Sequence, residues 1–423
     1  MTALECLKRY YGYDSFRGGQ ETLVCAILSG NDVLGIMPTG AGKSVCFQVP
    51  ALMMSGVTIV VSPLISLMKD QVGALTRLGV PAAFVNSSLS PQQARVTLEN
   101  MRNGAYKLIY AAPERLLTND FLSSALSCDV SLLTADEAHC ISQWGHDFRP
   151  SYAKIPEFIA KLNRRPVVAA FTASATVNVR ADIVDMLGLS APAVLTTGFD
   201  RKNLRFEVWR PENKFSALTG YLEDNKGLSG IIYCSTRSAV EDVCRRLRHC
   251  GYNALRYHAG LEDEVRHSNQ EDFLRDEAGL MVATNAFGMG IDKPDVSFVI
   301  HYNMPGNLEN YYQEAGRAGR DGRQADCILL YSGRDVQTNM WLINNSRNEE
   351  INDAEVEAVC KERDRRRLRE MTSYCASSDC LRGYILKYFG ENRPNYCGSC
   401  GNCASEPVNV SIIDLVMRIF GRK

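Results

Sequence analysis

Short β-branched runs alternate along this chain with longer stretches whose apolar positions recur at helical spacing. In the first half, the runs predicted as strands are Asp32–Met37, Thr58–Ser62, Lys107–Tyr110, Val130–Ala135 and Val167–Phe171. In the second half they are Gly230–Cys234, Ala254–His258, Leu280–Thr284, Ser297–His301 and Cys327–Tyr331, separated by helix-like segments such as Ala239–His249 and Val265–Arg275. Strand–helix alternation of this kind predicts parallel sheets covered by helices on both faces. The pattern occurs twice. It lapses near Gly198–Asn213, where polar residues collect, and after about Trp341 the chain reads as helical up to a cluster of cysteines. The expected organisation is an α/β unit over residues 1–200, a second over 201–340, a small helical unit over 341–405 and a short remainder, 406–423. A length of 423 residues fits this division, being too long for one compact core.

Composition narrows the class only modestly. An apolar fraction of 45% and a charged fraction of 22% are ordinary for a globular protein. No apolar run is long enough to span a bilayer, and the N-terminus, MTALECLKRYYGYD, lacks a signal peptide's apolar core and cleavage pattern. A cytoplasmic protein with no membrane partner is expected. With a net charge of −1, any nucleic-acid binding must come from local basic and backbone-donor surfaces. Most of the fifteen cysteines, such as Cys25, Cys46, Cys234 and Cys244, sit singly in apolar stretches and read as buried thiols.

The first candidate chemistry follows the first strand. Asp32–Met37 runs into Pro38-Thr39-Gly40-Ala41-Gly42-Lys43-Ser44, and a helix-like segment follows. Gly40 and Gly42 let the backbone turn tightly, so that N–H groups converge on phosphate oxygens at the positive end of a helix. Lys43 would reach the terminal phosphates and Ser44 would offer its hydroxyl to magnesium, which predicts ATP and Mg2+ as ligands. Met37 stands where the full pattern has its first glycine. Strand Val130–Ala135 ends at Asp136-Glu137-Ala138-His139. An acid at a strand end facing the phosphate loop suits magnesium, and Asp136 supplies it through a bound water. Glu137 is the candidate base for the attacking water, and His139 is placed to connect the site to other surfaces. Farther on, Arg317 and Arg320 lie three residues apart, on one face if the segment is helical. An arginine reaching across from a second domain accelerates phosphoryl transfer by ~10³–10⁵ and makes hydrolysis require a closed cleft.

Other segments suit a polynucleotide. Ser62, in Ser62-Pro63-Leu64-Ile65-Ser66, and Thr284, in Thr284-Asn285-Ala286-Phe287-Gly288, would grip a sugar–phosphate backbone, or serve as helix caps. Between Ile141 and Pro150 the chain gathers Trp144, His146, Phe148 and Arg149 immediately after the carboxylates. Base–aromatic stacking is worth ~1–3 kcal/mol per base, and a DNA-induced shift here would reach the magnesium site; a buried aromatic cluster is the alternative. Near the C-terminus, Cys397, Cys400 and Cys403 fall at CxxC spacing, with Cys380 before them and Cys375 as a spare. Four thiolates suit a closed zinc site, and an iron–sulfur cluster also uses four. The run Lys361–Arg367 mixes signs in the manner of a solvated helix face rather than a DNA site.

The order of MPTGAGKS, SPLISLMKDQV, DEAHCISQWGHDFRP, TASAT, IIYCSTR, ATNAFGMGIDKPDV and QEAGRAGRDG resembles the RecQ family of superfamily 2 helicases, from about Tyr10 to Cys403. The stretch His139–Pro150 is the most specific. The resemblance implies two tandem RecA-like P-loop domains with parallel sheets, followed by a small helical zinc-binding domain. It implies that Tyr13, Arg17 and Gln20, in GYDSFRGGQ, read adenine, as a stacking ring, a guanidinium and an amide edge can. It also assigns Gln313 to the nucleotide site, Arg317 and Arg320 to the γ-phosphate with Arg320 as the finger, and Cys380 with Cys397, Cys400 and Cys403 to Zn2+. Ser174 stands where the family usually has threonine, another hydroxyl.

The expected function is therefore an ATP-dependent 3′-to-5′ DNA helicase of repair, recombination or replication, acting on single-stranded and forked DNA. The rivals are a DNA-dependent ATPase that serves as a binding platform without efficient unwinding, and an RNA helicase, against which the QWGHDF loop and the cysteines argue. Residues 406–423 read as the start of a winged-helix domain, with Val410–Met417 opening an amphipathic helix, so the chain is expected to be a cut form of a longer protein. A longer chain with that domain would add a single-strand-binding protein as partner, and the expected location is the bacterial cytoplasm at the nucleoid.

Overall fold

Parallel strands cannot be joined by tight turns, so each needs a crossover, and here the crossovers are helices packed on the sheet faces. The computed structural model describes residues 1–38, 40–145, 147–288, 293–345, 351, 353–392 and 394–404. In the first lobe β1 (Val33–Ile36), β2 (Val57–Val61), β3 (Ala82–Val85), β4 (Leu108–Ala111), β5 (Val130–Ala135), β6 (Val167–Thr172) and β7 (Ala193–Thr196) form one sheet in the order β3-β4-β2-β5-β6-β1-β7. In the second, β8 (Leu204–Trp209), β9 (Gly230–Tyr233), β10 (Ala254–Tyr257), β11 (Leu280–Ala283), β12 (Phe298–His301) and β13 (Ala325–Leu330) order as β10-β11-β9-β12-β13-β8. Every pairing in both sheets is parallel. Central strands such as β2, β4 and β5 are buried along their whole length, so they read as apolar runs interrupted only by the small hydroxyl residues Thr58, Ser131 and Thr134.

Strand order positions the site. β6 pairs with β5 on one side and β1 on the other, with Ile36 opposite Thr172 and Ala135 opposite Ala170. The loops that follow these three strands therefore emerge side by side, and they hold the phosphate loop, the two carboxylates and the Thr172–Ser174 turn.

Three strands are absent from the apolar pattern: β3, β7 and β8. Each is a sheet edge. β8 occupies the interval where the pattern lapses, because Arg205 is exposed and Glu207 partly so. β7 likewise leaves Val194 exposed. Cys25 is a second departure: it is exposed, whereas Cys46, Cys234 and Cys244 are buried. Its helix, Gln20–Leu28, buries Leu23, Val24 and Ile27, and Cys25 falls on the opposite face.

Beyond the second sheet come the helices Gly333–Asn345, Ala354–Ala376, Leu381–Tyr388 and Gly401–Ala404. This unit packs on the segment that joins the lobes. Phe389 stacks on Phe199 with centroids 4.3 Å apart and planes at 7°. Glu391 Oε1 accepts the Phe199 N–H at 2.7 Å, and Arg382 donates to Asp200 at 2.8 Å and to the carbonyls of Arg201 at 2.8 Å and Leu204 at 2.6 Å. The run Lys361–Arg367 is not a solvated face throughout, because Arg367 is buried. The reason is that its helix docks against both lobes, as described below. No described helix is long and apolar enough to cross a membrane. The winged-helix expectation for 406–423 lies outside the described residues, and so does His146.

Candidate functional site

The phosphate loop is shaped by its glycines. Gly40 and Gly42 have φ of +82° and +78°, a region that costs a side chain its Cβ clearance. A Cβ on Gly42 would fall on the Gln20 amide, and one on Gly40 would sit 3.3 Å from Arg320 Cγ. The helix Lys43–Met53 then begins with no side-chain cap on its first turn, which leaves amides for an anionic ligand. Lys43 Nζ rests 3.5 Å from the Met37 carbonyl, and Thr39 is outside the described residues. Gln20 braces the loop from beneath, donating to Ala41 O at 3.0 Å and Gly42 O at 3.1 Å while accepting the Arg17 N–H at 2.9 Å. Arg17 donates to Gly40 O at 3.2 Å and lies over the exposed Tyr13 ring at 5.8 Å.

The carboxylates meet the loop from β5. Asp136 continues the ladder through its N–H to Val61 O at 2.9 Å. Glu137 has φ of +48°, a left-handed conformation that costs a side chain energy and gathers at functional sites. Its Oε2 is buried without a hydrogen-bond donor among the described residues and lies 3.3 Å from His139 Nδ1. Burial, then the Glu137 charge, push the Asp136 carboxyl up to about 7 against the pull of Lys43. Burial holds His139 down, at about 3, so its imidazole is neutral; its Nδ1 also lies 2.9 Å from Thr172 Oγ1. Two crowded carboxyls with one orphaned oxygen are a donor set that a divalent cation would relieve, so Asp136, with Ser44 on the helix start, fits Mg2+.

The second lobe closes the cleft. Gln313 donates across to Ser174 Oγ at 2.8 Å, so its amide bridges the lobes. The arginines do not share a helix face: the helix Leu308–Ala315 ends before them, and Gly319, at φ +57°, takes the chain into a turn. Arg317 is buried and donates to Gly288 O and to Tyr233. Arg320 is the one laid against the phosphate loop.

Comparison with known proteins agrees with this arrangement. Residues 17–183 match the DEAD/DEAH box helicase family, 213–322 the helicase conserved C-terminal domain, and 333–404 the RecQ zinc-binding domain. The chain is 47% identical over 402 residues to the ATP-dependent DNA helicase RecQ of Bacillus subtilis, covering 95% of this chain and 66% of that protein. It is 41% identical over 406 residues to the protein of the same name in Haemophilus influenzae, covering 96% of this chain and 64% of that one. The chain belongs to the RecQ family. It spans 66% and 64% of these relatives' own lengths. Among solved structures, S. cerevisiae Dbp5 bound to RNA and ADP BeF3 superposes with a TM-score of 0.65 at 18% identity, covering 85% of this chain and 97% of that one. At that identity the likeness is one of fold, a pair of RecA-type lobes.

The RecQ zinc-binding region contains the sulfur cluster. The Sγ atoms of Cys380, Cys397, Cys400 and Cys403 all lie within 4.8 Å of one another. Backbone N–H groups reach the sulfurs: Gly383 to Cys380 at 3.3 Å, Cys400 to Cys397 at 3.3 Å and Cys397 to Cys403 at 3.4 Å. Burial resists ionisation of Cys397, but donors from Ser399 and Cys400 overcome it and bring the thiol down to about 6, whereas burial pushes Cys380 up to about 12. The fold thus favours the Cys397 thiolate, and Zn2+ held by the four sulfurs would supply the charge that offsets the cost of ionising Cys380. A closed set of four thiols suits tetrahedral Zn2+, and the zinc-binding family match favours that ion over an iron–sulfur cluster. Cys375 lies outside the cluster, buried, with its carbonyl accepting Arg210 at 2.7 Å.

The segments expected to touch DNA are unequal in exposure. The Trp144 ring is 49% exposed, and Phe148 and Arg149 are half-buried. Arg149 pairs with Asp147 at 3.0 Å and donates to Pro63 O at 2.9 Å, which ties the aromatic loop to the Ser62 segment. Ser62 is itself buried, with a hydroxyl lacking a hydrogen-bond partner among the described residues. It does not cap the helix Ile65–Arg77, which starts from Leu64 with no side-chain cap. Thr284 Oγ1 accepts the Ala286 N–H at 3.4 Å. Arg363 and Arg367, inside the run that reads as a solvated face, lie four apart on one helix face and reach the aromatic loop.

Proposed function

We propose that this chain is an ATP-driven motor that moves 3′-to-5′ on single-stranded DNA and separates duplexes, with residues 1–200 and 201–340 as its lobes and 341–405 as a zinc-binding module. The observation that carries this reading is Arg320 of the second lobe lying against Gly40 of the first lobe's phosphate loop. Charge on a γ-phosphoryl group in transfer then meets this second-lobe cation only when the cleft is closed, so each hydrolysis is linked to a lobe movement. Gly40, Gly42 and Lys43 hold the phosphates, with Tyr13 and Arg17 on the base and Gln20, which braces the phosphate loop, beside them. Ser44 and Asp136 hold Mg2+, which neutralises phosphate charge when bound. Glu137 orients and polarises the attacking water, while Gln313 and Arg317 keep the second lobe's edge in register. Trp144, Phe148 and Arg149, with the segments that begin at the buried Ser62 and Thr284, grip the strand, and His146 joins them by its place in the loop.

Forked DNA is the proposed substrate in the cell, in the cytoplasm at the nucleoid, and a full-length chain with a winged helix would add single-strand-binding protein as a partner. ATPase assays with single-stranded DNA or RNA, beside strand displacement on forks of both polarities, test the reading. It predicts stimulation by DNA and displacement of 3′-tailed forks. Stimulation without displacement would favour the binding-platform rival, and preference for RNA would refute the DNA assignment.

A further inference from the structure

The helix Ala354–Ala376 carries two arginines one turn apart that hold three consecutive backbone carbonyls of the aromatic loop. Arg363 donates to Gln143 O, and Arg367 donates to Trp144 O and, at 3.0 Å, to Gly145 O. Arg367 is buried, and burying a guanidinium is unfavourable unless its donors are met. Its remaining partners are Asp364 at 3.5 Å, on its own helix, and Glu309 at 3.6 Å, buried on the second lobe's helix Leu308–Ala315. One side chain therefore touches the first lobe, the second lobe and the module behind them.

The grip is on the backbone alone. A packing cluster would bury the Trp144 ring, yet that ring stays half exposed while its carbonyl is held. The far side of the loop is equally fixed. Gly145 sits so close to the His139 carbonyl that a Cβ there would collide with it, and Ser142 donates to Asp182. His139 in turn lies 3.3 Å from Glu137. A base that displaces the Trp144 ring thus pulls on a backbone joined at one end to Glu137, whose carbonyl accepts the Cys140 N–H at 2.9 Å, and at the other to an arginine anchored in a second lobe.

We propose that Arg367, assisted by Arg363, is a positioning residue that makes the aromatic loop a stiff link, so that contact between Trp144 and single-stranded DNA is conveyed to Glu137. This rests on the DNA-stimulated ATPase proposed above. The test uses the full chain with its zinc, titrating single-stranded DNA against ATP turnover in wild type, Arg363→Ala, Arg367→Ala and Arg367→Lys, with zinc content and urea midpoint measured on each. The DNA-free rate and the KM for ATP should stay within about twofold of wild type, while the stimulated-to-basal ratio falls by about tenfold in Arg367→Ala and by less in Arg363→Ala. Arg367→Lys should recover part of the ratio, since an ammonium can hold one carbonyl but not the fork of two. Should Arg367→Ala lose zinc or unfold, Arg363→Ala decides: a reduced ratio at the wild-type midpoint supports the link, and an unchanged ratio overturns it. A wild type that ignores DNA refutes the function reading and the link with it. A stimulated wild type with equally stimulated variants refutes the link alone.

Discussion

Replacing Arg320 by alanine should stop chemistry while sparing nucleotide binding, and replacing Arg317 should do something different. A Cβ on Gly40 would meet the Arg320 side chain at 3.3 Å, so this side chain lies from the opposite lobe against the phosphate loop, where the proposed γ-phosphoryl charge would develop. Its removal should lower turnover by about 10³-fold or more, about 4 kcal/mol of transition-state stabilisation, with ATP affinity nearly unchanged. Arg317 is buried and serves Gly288 O and Tyr233 instead. Its loss leaves buried acceptors without a donor, which should cost about 2 kcal/mol of stability. Turnover with saturating single-stranded DNA, affinity for a fluorescent ATP analogue and the urea midpoint separate the two effects. Arg320→Ala turning over within about tenfold of wild type would refute the assignment. So would Arg317→Ala abolishing turnover with an unchanged midpoint.

The zinc module and the buried acids make further predictions. Elemental analysis should find one zinc per chain, and Cys400→Ala should lose metal and several kcal/mol of stability, about what a structural site contributes to folding; iron in its place would contradict the assignment. In metal-free protein, Asp136 keeps its proton up to about 7 when folded but releases it near 3.8 when unfolded, so its contribution falls as pH rises between those values. His139, down at about 3 from 6.5, acts oppositely: its contribution is present above 6.5 and is lost as pH falls toward 3. The two oppose each other between about 4 and 6.5, so Asp136→Asn should make stability rise more steeply with pH across that window than in wild type. Urea midpoints at several pH values check this, and parallel profiles would count against the raised Asp136 pKa.

The sequence discloses most where the physics is local. Strands buried on both faces, such as β2 and β5, are mainly apolar runs broken only by Thr58, Ser131 and Thr134, and the glycines of the phosphate loop are required by their own backbone. The cysteines reveal their grouping because CxxC spacing is itself the geometry of chelation. Edge strands are less legible: β3 and β7 are four residues long and mostly only half-buried, and β8 alternates its apolar residues with Arg205 and Glu207. What spacing alone cannot show is which lobe a long side chain will reach. Arg317 and Arg320 look equivalent in the chain, and the turn at Gly319 sends them to different places. Arg367 looks solvated because its partners are carbonyls from residues 144 and 145, which no side-chain pattern records.

The most direct test of the motor is single-turnover ATP hydrolysis by Glu137→Gln, with nucleotide binding measured on the same sample and Lys43→Ala beside it. Glu137 lies in a strained backbone conformation at the end of β5, with one oxygen buried and orphaned. The amide keeps the size and removes the charge that polarises water. The account predicts that Glu137→Gln binds ATP as wild type does and hydrolyses it at least about 10²-fold more slowly, with or without DNA, whereas Lys43→Ala loses binding itself. Wild-type hydrolysis by Glu137→Gln would contradict the account at its centre.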